Sequence, residues 1–322
     1  MVGQRRRAPA PAGRRGVRAG AGGPAAVHLA GTERLAACLE AQGGRRADGE
    51  PTAGLHPYVV PLAAAGDAVT GVLRWPRPAE HPDLALPVVR MDRGGRTVHF
   101  LARSPEEYCR RALAEEDLAG GAELFGALEG AGELYTPGDA PGTSLPHASA
   151  YLTRHVGIFP DVVEDLIRRH RDKGDETSAM VTAEWYAKNH YQGTGHPLAT
   201  AAGLFTELGR AAEARDFHVL ALRRPWWTLG DLRAEVDGAG FGDEPLGRIK
   251  EKLEEVQPKK LVIGGVEMDP ETPEDALLKK ARDKLDEVCA GDGADWDGAR
   301  EYLAFLFRDA GLADFADFVA AP

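Results

Sequence analysis

A chain of 322 residues with 43% hydrophobic and 28% charged side chains has a globular composition and room for two domains. It holds no apolar run of about eighteen residues, so no membrane-spanning helix is expected, and a formal charge of −11 opposes binding to a phosphate backbone. Cys38, Cys109 and Cys289 are odd in number and lack C-x-x-C spacing, which argues against a disulfide framework and a structural zinc site and for reduced, packed thiols.

The first thirty-two residues carry six arginines and no acid, the first acid being Glu33. Arginine with small residues and no acids is the composition of an organellar transit peptide, and no continuous apolar core follows to make a secretory signal. A disordered basic tail is the competing reading. Cleavage near residue 26 would remove all six arginines and take the charge from −11 to −17, which disfavours nucleic acid further. Residues 1–50 are expected to be transit peptide and disordered linker, ending in the Gly/Arg-rich "AQGGRRADGEPTAG".

Short runs rich in Val, Leu and aromatic residues follow: "HPYVVPLA", "AVTGVLRWP", "LPVVRMD" and "RTVHFLA". Separated by Gly and Pro, they predict a small antiparallel sheet. A hairpin is expected between Val89 and Val98, where Gly94-Gly95 can adopt positive φ. "SPEEYCRRALAEEDL" predicts a helix with Ser104 as N-cap, Pro105 at the first position and Glu107 completing a capping box. "GAELFGALEGAGELY" continues helical, and "TPGDAPGTSLPHAS" marks a boundary after a β/α domain at 51–136.

From residue 150 to 322 the pattern is helical. Val162, Val163, Leu166, Ile167 and His170 form one stripe, Gly174 breaks it, and Ala179, Ala183, Tyr186 and Ala187 follow at helical spacing. In "PLATAAGLFTELGRAAEARDFHVLALRRP", Leu198, Ala202 and Phe205, then Ala214, His218 and Ala221, have tetratricopeptide-like (TPR-like) spacing; the small residues let two helices approach closely. "DEPLGRIKEKLEEVQPKK" reads as a solvated helix, and two or three terminal helices follow, with Thr272 and Asp295 as caps. The expected fold is α+β, mostly α: a small N-terminal antiparallel sheet with helices, then a TPR-like helical domain.

No catalytic, cofactor or metal site emerges. "HRDKGD" at 170–175 imitates a kinase catalytic loop, but Thr177 stands where asparagine is required and no glycine-rich ATP loop precedes it. Gly238, Gly240 and Gly242 lack dinucleotide-fingerprint spacing. His190 and His196 have no matching third ligand and read as surface or half-buried histidines. Ser104, Ser144 and Ser178 lie in no G-x-S-x-G elbow.

The protein-binding candidates are Trp226, Trp227, Glu115, Glu116 and Asp117. In "LALRRPWWTLGDL" the two tryptophans fall where one helical hairpin passes to the next; one indole is expected to fill that gap and the other to face outward as a partner anchor, with Thr228 capping the following helix. The acids of "LAEEDL" read as a solvated helix face and could meet a basic partner.

The segments "LHPYVVPL", "VTGVLRWP", "LPVVR", "LARSPEEYCRRALAEED", "GIFPDVVEDLIRRH", "LFTELGRAAEARD" and "RPWWTLG" together resemble a green-lineage chloroplast family of ATP synthase biogenesis factors. The resemblance runs from Leu55 to the C-terminus, except that residues 248–284 offer no matching motif. It implies a non-enzymatic stromal assembly factor, without cofactor, that engages a subunit of the F1 head, namely γ. Any contact with the thylakoid would be peripheral, and the mitochondrial matrix is the alternative compartment. The alternative functions are a permanent structural subunit of an organellar complex and an enzyme with a pocket between the two parts.

Overall fold

The computed structural model describes residues 31–47, 49–139, 148–255, 262–263, 266–267, 272–291 and 295–321. The expected transit segment falls largely on residues 1–30, outside them. Thr32–Ala41 forms helix α1, whose Leu35, Ala36, Cys38 and Leu39 are buried, and Arg45–Arg46 forms strand β1. A disordered linker reaching residue 50 is therefore corrected. "TERLAACLEA" carries its apolar residues at helical spacing, and that face must be covered.

Four further strands follow: β2 (Val59–Ala65), β3 (Ala68–Leu73), β4 (Val88–Asp92) and β5 (His99–Ala102). They coincide with the four expected runs and form an antiparallel meander, β1-β2-β3-β4-β5. The β4–β5 pair has Val89 opposite Phe100 and Arg90 opposite His99, with Gly94 at φ 72 in the connection. The turn is looser than a tight hairpin. Val98 leaves the ladder because its N–H donates to the carbonyl of Trp227 at 2.8 Å.

Helix α2, Pro105–Leu118, starts as expected, with Ser104 Oγ accepting from Glu107 N at 3.2 Å. The Glu107 carboxylate accepts from Arg103 N at 2.9 Å and from its guanidinium, one residue earlier than a capping box requires. The small-residue stretch beyond gives only two short helices, α3 (Glu123–Ala127) and α4 (Ala131–Leu134).

Ten helices follow among the described residues: α5 (Ala148–His155), α6 (Pro160–Asp172), α7 (Glu176–Asn189), α8 (His196–Glu207), α9 (Ala211–Leu222), α10 (Leu232–Gly238), α11 (Leu246–Glu255), α12 (Pro273–Ala290), α13 (Trp296–Asp309) and α14 (Ala313–Ala320). α6 pairs with α7, α8 with α9, and α7 packs on α8, an arrangement that fits TPR-like stacking. Ala202 and Phe205 on α8 and Ala214, His218 and Ala221 on α9 are buried, as their spacing required. Leu166, His170 and Leu198 are only half-buried.

α11 is not a solvated helix. Ile249 and Leu253 are buried, and Lys250 Nζ reaches Asp283 at 2.7 Å and Asp286 at 3.1 Å on α12. The same region contains two short paired strands, β6 (Val262–Ile263) and β7 (Val266–Glu267). Thr272 and Asp295 cap α12 and α13 as expected, accepting from Asp275 N and Gly298 N. Thr228 caps nothing: Asp231 accepts from Ala234 N at the start of α10, while Thr228 Oγ1 donates to Pro225 O and accepts from Gly195 N.

The sheet, the helical hairpins and the C-terminal helices share one core, in which Val69, Val89 and Phe100 meet Trp226, Trp227, Leu303, Phe307 and Phe315. Buried Arg300 on α13 closes it, donating to the carbonyls of Thr52, Leu55 and Val319. Trp296 Nε1 donates to Gly95 O at 2.7 Å. Among the described residues no helix is long and apolar enough to cross a membrane.

Candidate functional site

Trp226, Trp227 and Thr228 form one 3-10 turn after α9. Trp226 is held by three contacts: its N–H donates to Asp286 Oδ1 at 2.7 Å, its indole N–H donates to Leu222 O at 2.8 Å, and Lys250 Nζ lies 5.0 Å from the ring centroid. Trp227 packs among aromatic rings, with centroids 4.3 Å from His56, 5.9 Å from Trp75 and 6.1 Å from Tyr58. Each tryptophan is 1% exposed. An outward-facing anchor is thus ruled out for both, because sheet, hairpins and α12 converge on this turn and leave each ring almost no solvent-accessible surface.

Two ionisable groups are buried beside it. His56 is fully enclosed; burial, and then the charge of Arg300, hold it well below the usual histidine range, so the ring is neutral. Its Nδ1 accepts from Tyr58 N at 3.2 Å. Burial pushes the Asp286 carboxyl up to about 6 against the opposing pull of Lys250.

A cavity of about 430 Å³ opens against Trp227, between the segment after β3, the end of α9 and α12. Its cations are Arg77, Arg223, Arg224, Lys279 and Arg282; its acids are Glu80 and Asp275. Arg77 is paired with both acids, at 3.1 Å and 2.6 Å, and Lys279 with Glu254 at 2.5 Å. Arg223, Arg224 and Arg282 make no ion pair among the described residues.

A second cavity, of about 410 Å³, lies between the sheet, α2, α6 and α8. Here both acids are paired, and exposed Arg90 alone among the lining arginines makes no ion pair among the described residues. Arg111 donates to both Asp161 oxygens at 2.7 and 2.6 Å and to Glu115 at 2.8 Å, with its guanidinium 4.8 Å from the Phe159 ring. The protein packed around Asp161 works against its ionisation although the side chain is 62% exposed, and the Arg111 hydrogen bonds and charge hold its carboxyl below the usual range. His196 Nε2 lies 3.0 Å from Glu164, and Tyr186 Oη lies 3.3 Å from its Nδ1. Burial and then the neighbouring His196 lower His99.

His190 packs against the Trp185 ring at 4.3 Å, whereas His196 faces Glu164, so the two histidines serve different partners. "HRDKGD" is the end of α6 plus the cap of α7, Asp175 accepting from Ser178 N at 3.0 Å. Two of the three expected acids at 115–117 are structural. Glu116 accepts from Leu124 N at 2.8 Å, and Asp117 accepts from Tyr135 Oη and Gly138 N, each at 2.9 Å. Only Glu115 is exposed.

Two helix faces carry exposed large apolar residues that the sequence reading did not single out. Val181 and Trp185 stand one turn apart on α7; Tyr302 and Phe305, 47% and 55% exposed, stand one turn apart on α13. The i, i+3 aromatic pair in "WDGAREYLAFLF" lies outside the buried stripe of Ala299, Leu303 and Phe307.

Fold and surface define an α+β, mostly helical protein with TPR-like hairpins and exposed apolar faces. Residues 25–155 match the family model described as PAB N-terminal, and residues 160–240 match the PAB middle domain. Over 270 residues the chain is 36% identical to Protein IN CHLOROPLAST ATPASE BIOGENESIS, chloroplastic, of Arabidopsis thaliana, covering 83% of this chain and 78% of that protein. The chain belongs to this family of chloroplast ATPase biogenesis proteins. No solved structure matches it.

Proposed function

We propose that this protein is a non-enzymatic factor of chloroplast ATP synthase biogenesis that works in the stroma and holds a subunit of the F1 head, the γ subunit. The observation that carries this reading is the identity with the Arabidopsis biogenesis protein along most of both chains. The arginine-rich, acid-free start supports import, with the signal ending before α1. Exposed Tyr302 and Phe305 on α13 supply apolar area for a polypeptide partner, tyrosine and phenylalanine being enriched at such contacts. Glu115, exposed although paired with Arg111, adds a surface carboxylate for a basic partner, whereas the tryptophan pair acts from within by holding the helices in place. In the cavity between sheet and hairpins both carboxylates, Asp161 and Glu164, are engaged by Arg111 and His196, which supports a non-catalytic reading.

Affinity capture from stroma with the chain beginning at Gly31 tests this. Recovery of γ, lost or reduced at least fivefold by Tyr302→Ser with Phe305→Ser at unchanged circular dichroism, is the expected result. Recovery of no ATP synthase subunit by the folded protein would overturn it. Stoichiometric presence of the chain in the finished enzyme would instead make it a structural subunit.

A further inference from the structure

The cavity beside Trp227 has an electrostatic character opposite to that of the whole chain. In a protein of formal charge −11, Arg223, Arg224 and Arg282 line one space with no carboxylate in ion-pair contact among the described residues. The two acids of the cavity, Glu80 and Asp275, are both taken by Arg77, which leaves half-buried Arg223 and exposed Arg224 and Arg282 free to meet an anion. Asp286 lies behind Arg282, but Lys250 already holds it at 3.1 Å.

Two lining residues also keep buried donors without acceptors: Arg223 Nε and the indole N–H of Trp227. A buried donor left unmade costs about 1–3 kcal/mol, and native structures retain few of them. Guanidinium groups present planar forks of N–H donors suited to oxyanions, above all phosphate. The space is about 430 Å³, within the range of small-molecule clefts and larger than an inorganic anion needs. Part of its wall is aromatic: Trp75 lies in it, stacked on His81 at 4.0 Å and 18°.

The geometry points to a binding site for a small phosphorylated ligand, with Arg223, Arg224 and Arg282 holding the phosphate oxygens and the Trp75–His81 stack facing the organic part. The site meets α13 only through buried Phe307, not through the exposed Tyr302 and Phe305, and does not depend on the partner-docking reading. The phosphate chemistry is shared by inorganic pyrophosphate and by a nucleotide, and the test separates them.

Isothermal titration of the chain beginning at Gly31, at constant ionic strength, would use pyrophosphate, ADP, adenosine and citrate as probes. Saturable binding of pyrophosphate or ADP is expected, weakened at least tenfold by Arg223→Gln with Arg282→Gln and unchanged by Arg168→Gln, a surface substitution on α6. ADP binding tighter than pyrophosphate assigns an organic phosphate; equal affinities assign the inorganic ion. Absence of saturable binding by either phosphate, citrate binding as tightly as pyrophosphate, or full affinity in the double variant would each overturn the site. The unliganded melting temperature of the double variant, expected to equal or exceed the parent's, separates lost binding from lost folding.

Discussion

The two junction cavities have nearly equal volumes, about 430 and 410 Å³, and opposite electrostatic states. Between the sheet and α6, the acids are paired across elements, Asp161 with Arg111 and Glu164 with His196, and of the lining arginines only the exposed Arg90 makes no ion pair among the described residues. Between α9 and α12, three arginines were left without one. Equal volume therefore says nothing about readiness to bind. The cavity beside α6 joins the layers through its ion pairs, whereas the cationic one presents arginine donors that no carboxylate occupies and an anion could use.

The wall of the cationic cavity offers the most severe way to break this contrast. Trp227→Ala removes an indole packed on His56, Tyr58 and Trp75, and should cost about 3–5 kcal/mol in urea unfolding. Trp226→Ala should cost a comparable amount. A variant of either that unfolds at the parental midpoint would mean that the junction is not the keystone of the core.

Asp286, the buried carboxylate behind that cavity, comes next. Asp286→Ala strands the Trp226 N–H and should cost about 1–3 kcal/mol at pH 7.5, while Asp286→Asn keeps an acceptor and should cost much less. Its carboxyl titrates near 6 when folded, above its unfolded value. The folded state therefore holds a proton that the unfolded chain has already lost. This contribution is full below about pH 4 and is lost as pH rises through 6, by about 3 kcal/mol in all. Asp286→Asn should remove that component from the stability–pH curve.

Smaller effects sharpen the comparison itself. Arg111→Met breaks two ion pairs and a cation–π contact in the cavity beside α6; because Asp161 is largely exposed, the expected cost is only about 1–2 kcal/mol by thermal melting. Arg282→Gln, in the cationic cavity, should leave the melting temperature unchanged or slightly raised. A marked loss of stability there would show that Arg282 has a partner in the folded chain.

Local features were legible because they rest on short-range physics. Ser104 and Pro105 start α2 through one turn of backbone, the alternating apolar runs became β2 to β5, and small residues at 202, 214 and 221 allowed α8 and α9 to close. α1 was hidden by its glycine- and arginine-rich surroundings, although Leu35, Ala36 and Leu39 at helical spacing could have revealed it. The tryptophan pair lies at a hairpin exit, as its place in the sequence implies, and the packing expected of one indole holds for both, since coverage comes from His56, Tyr58 and α12, some about 170 residues away.

Of the cationic cavity, "RRPWW" showed two arginines beside the tryptophans, but nothing in the order of residues sets Arg282 against them. Hydrophobic period, capping and turn chemistry act over a few residues and can be read along the chain. Burial of the indoles, the clamp of Arg300 on Thr52 and Leu55, and the gathering of unpaired arginines are long-range outcomes. They exist only once α12 and α13 fold back over the sheet, because burial and charge pairing depend on which surfaces meet rather than on which residues are neighbours in sequence.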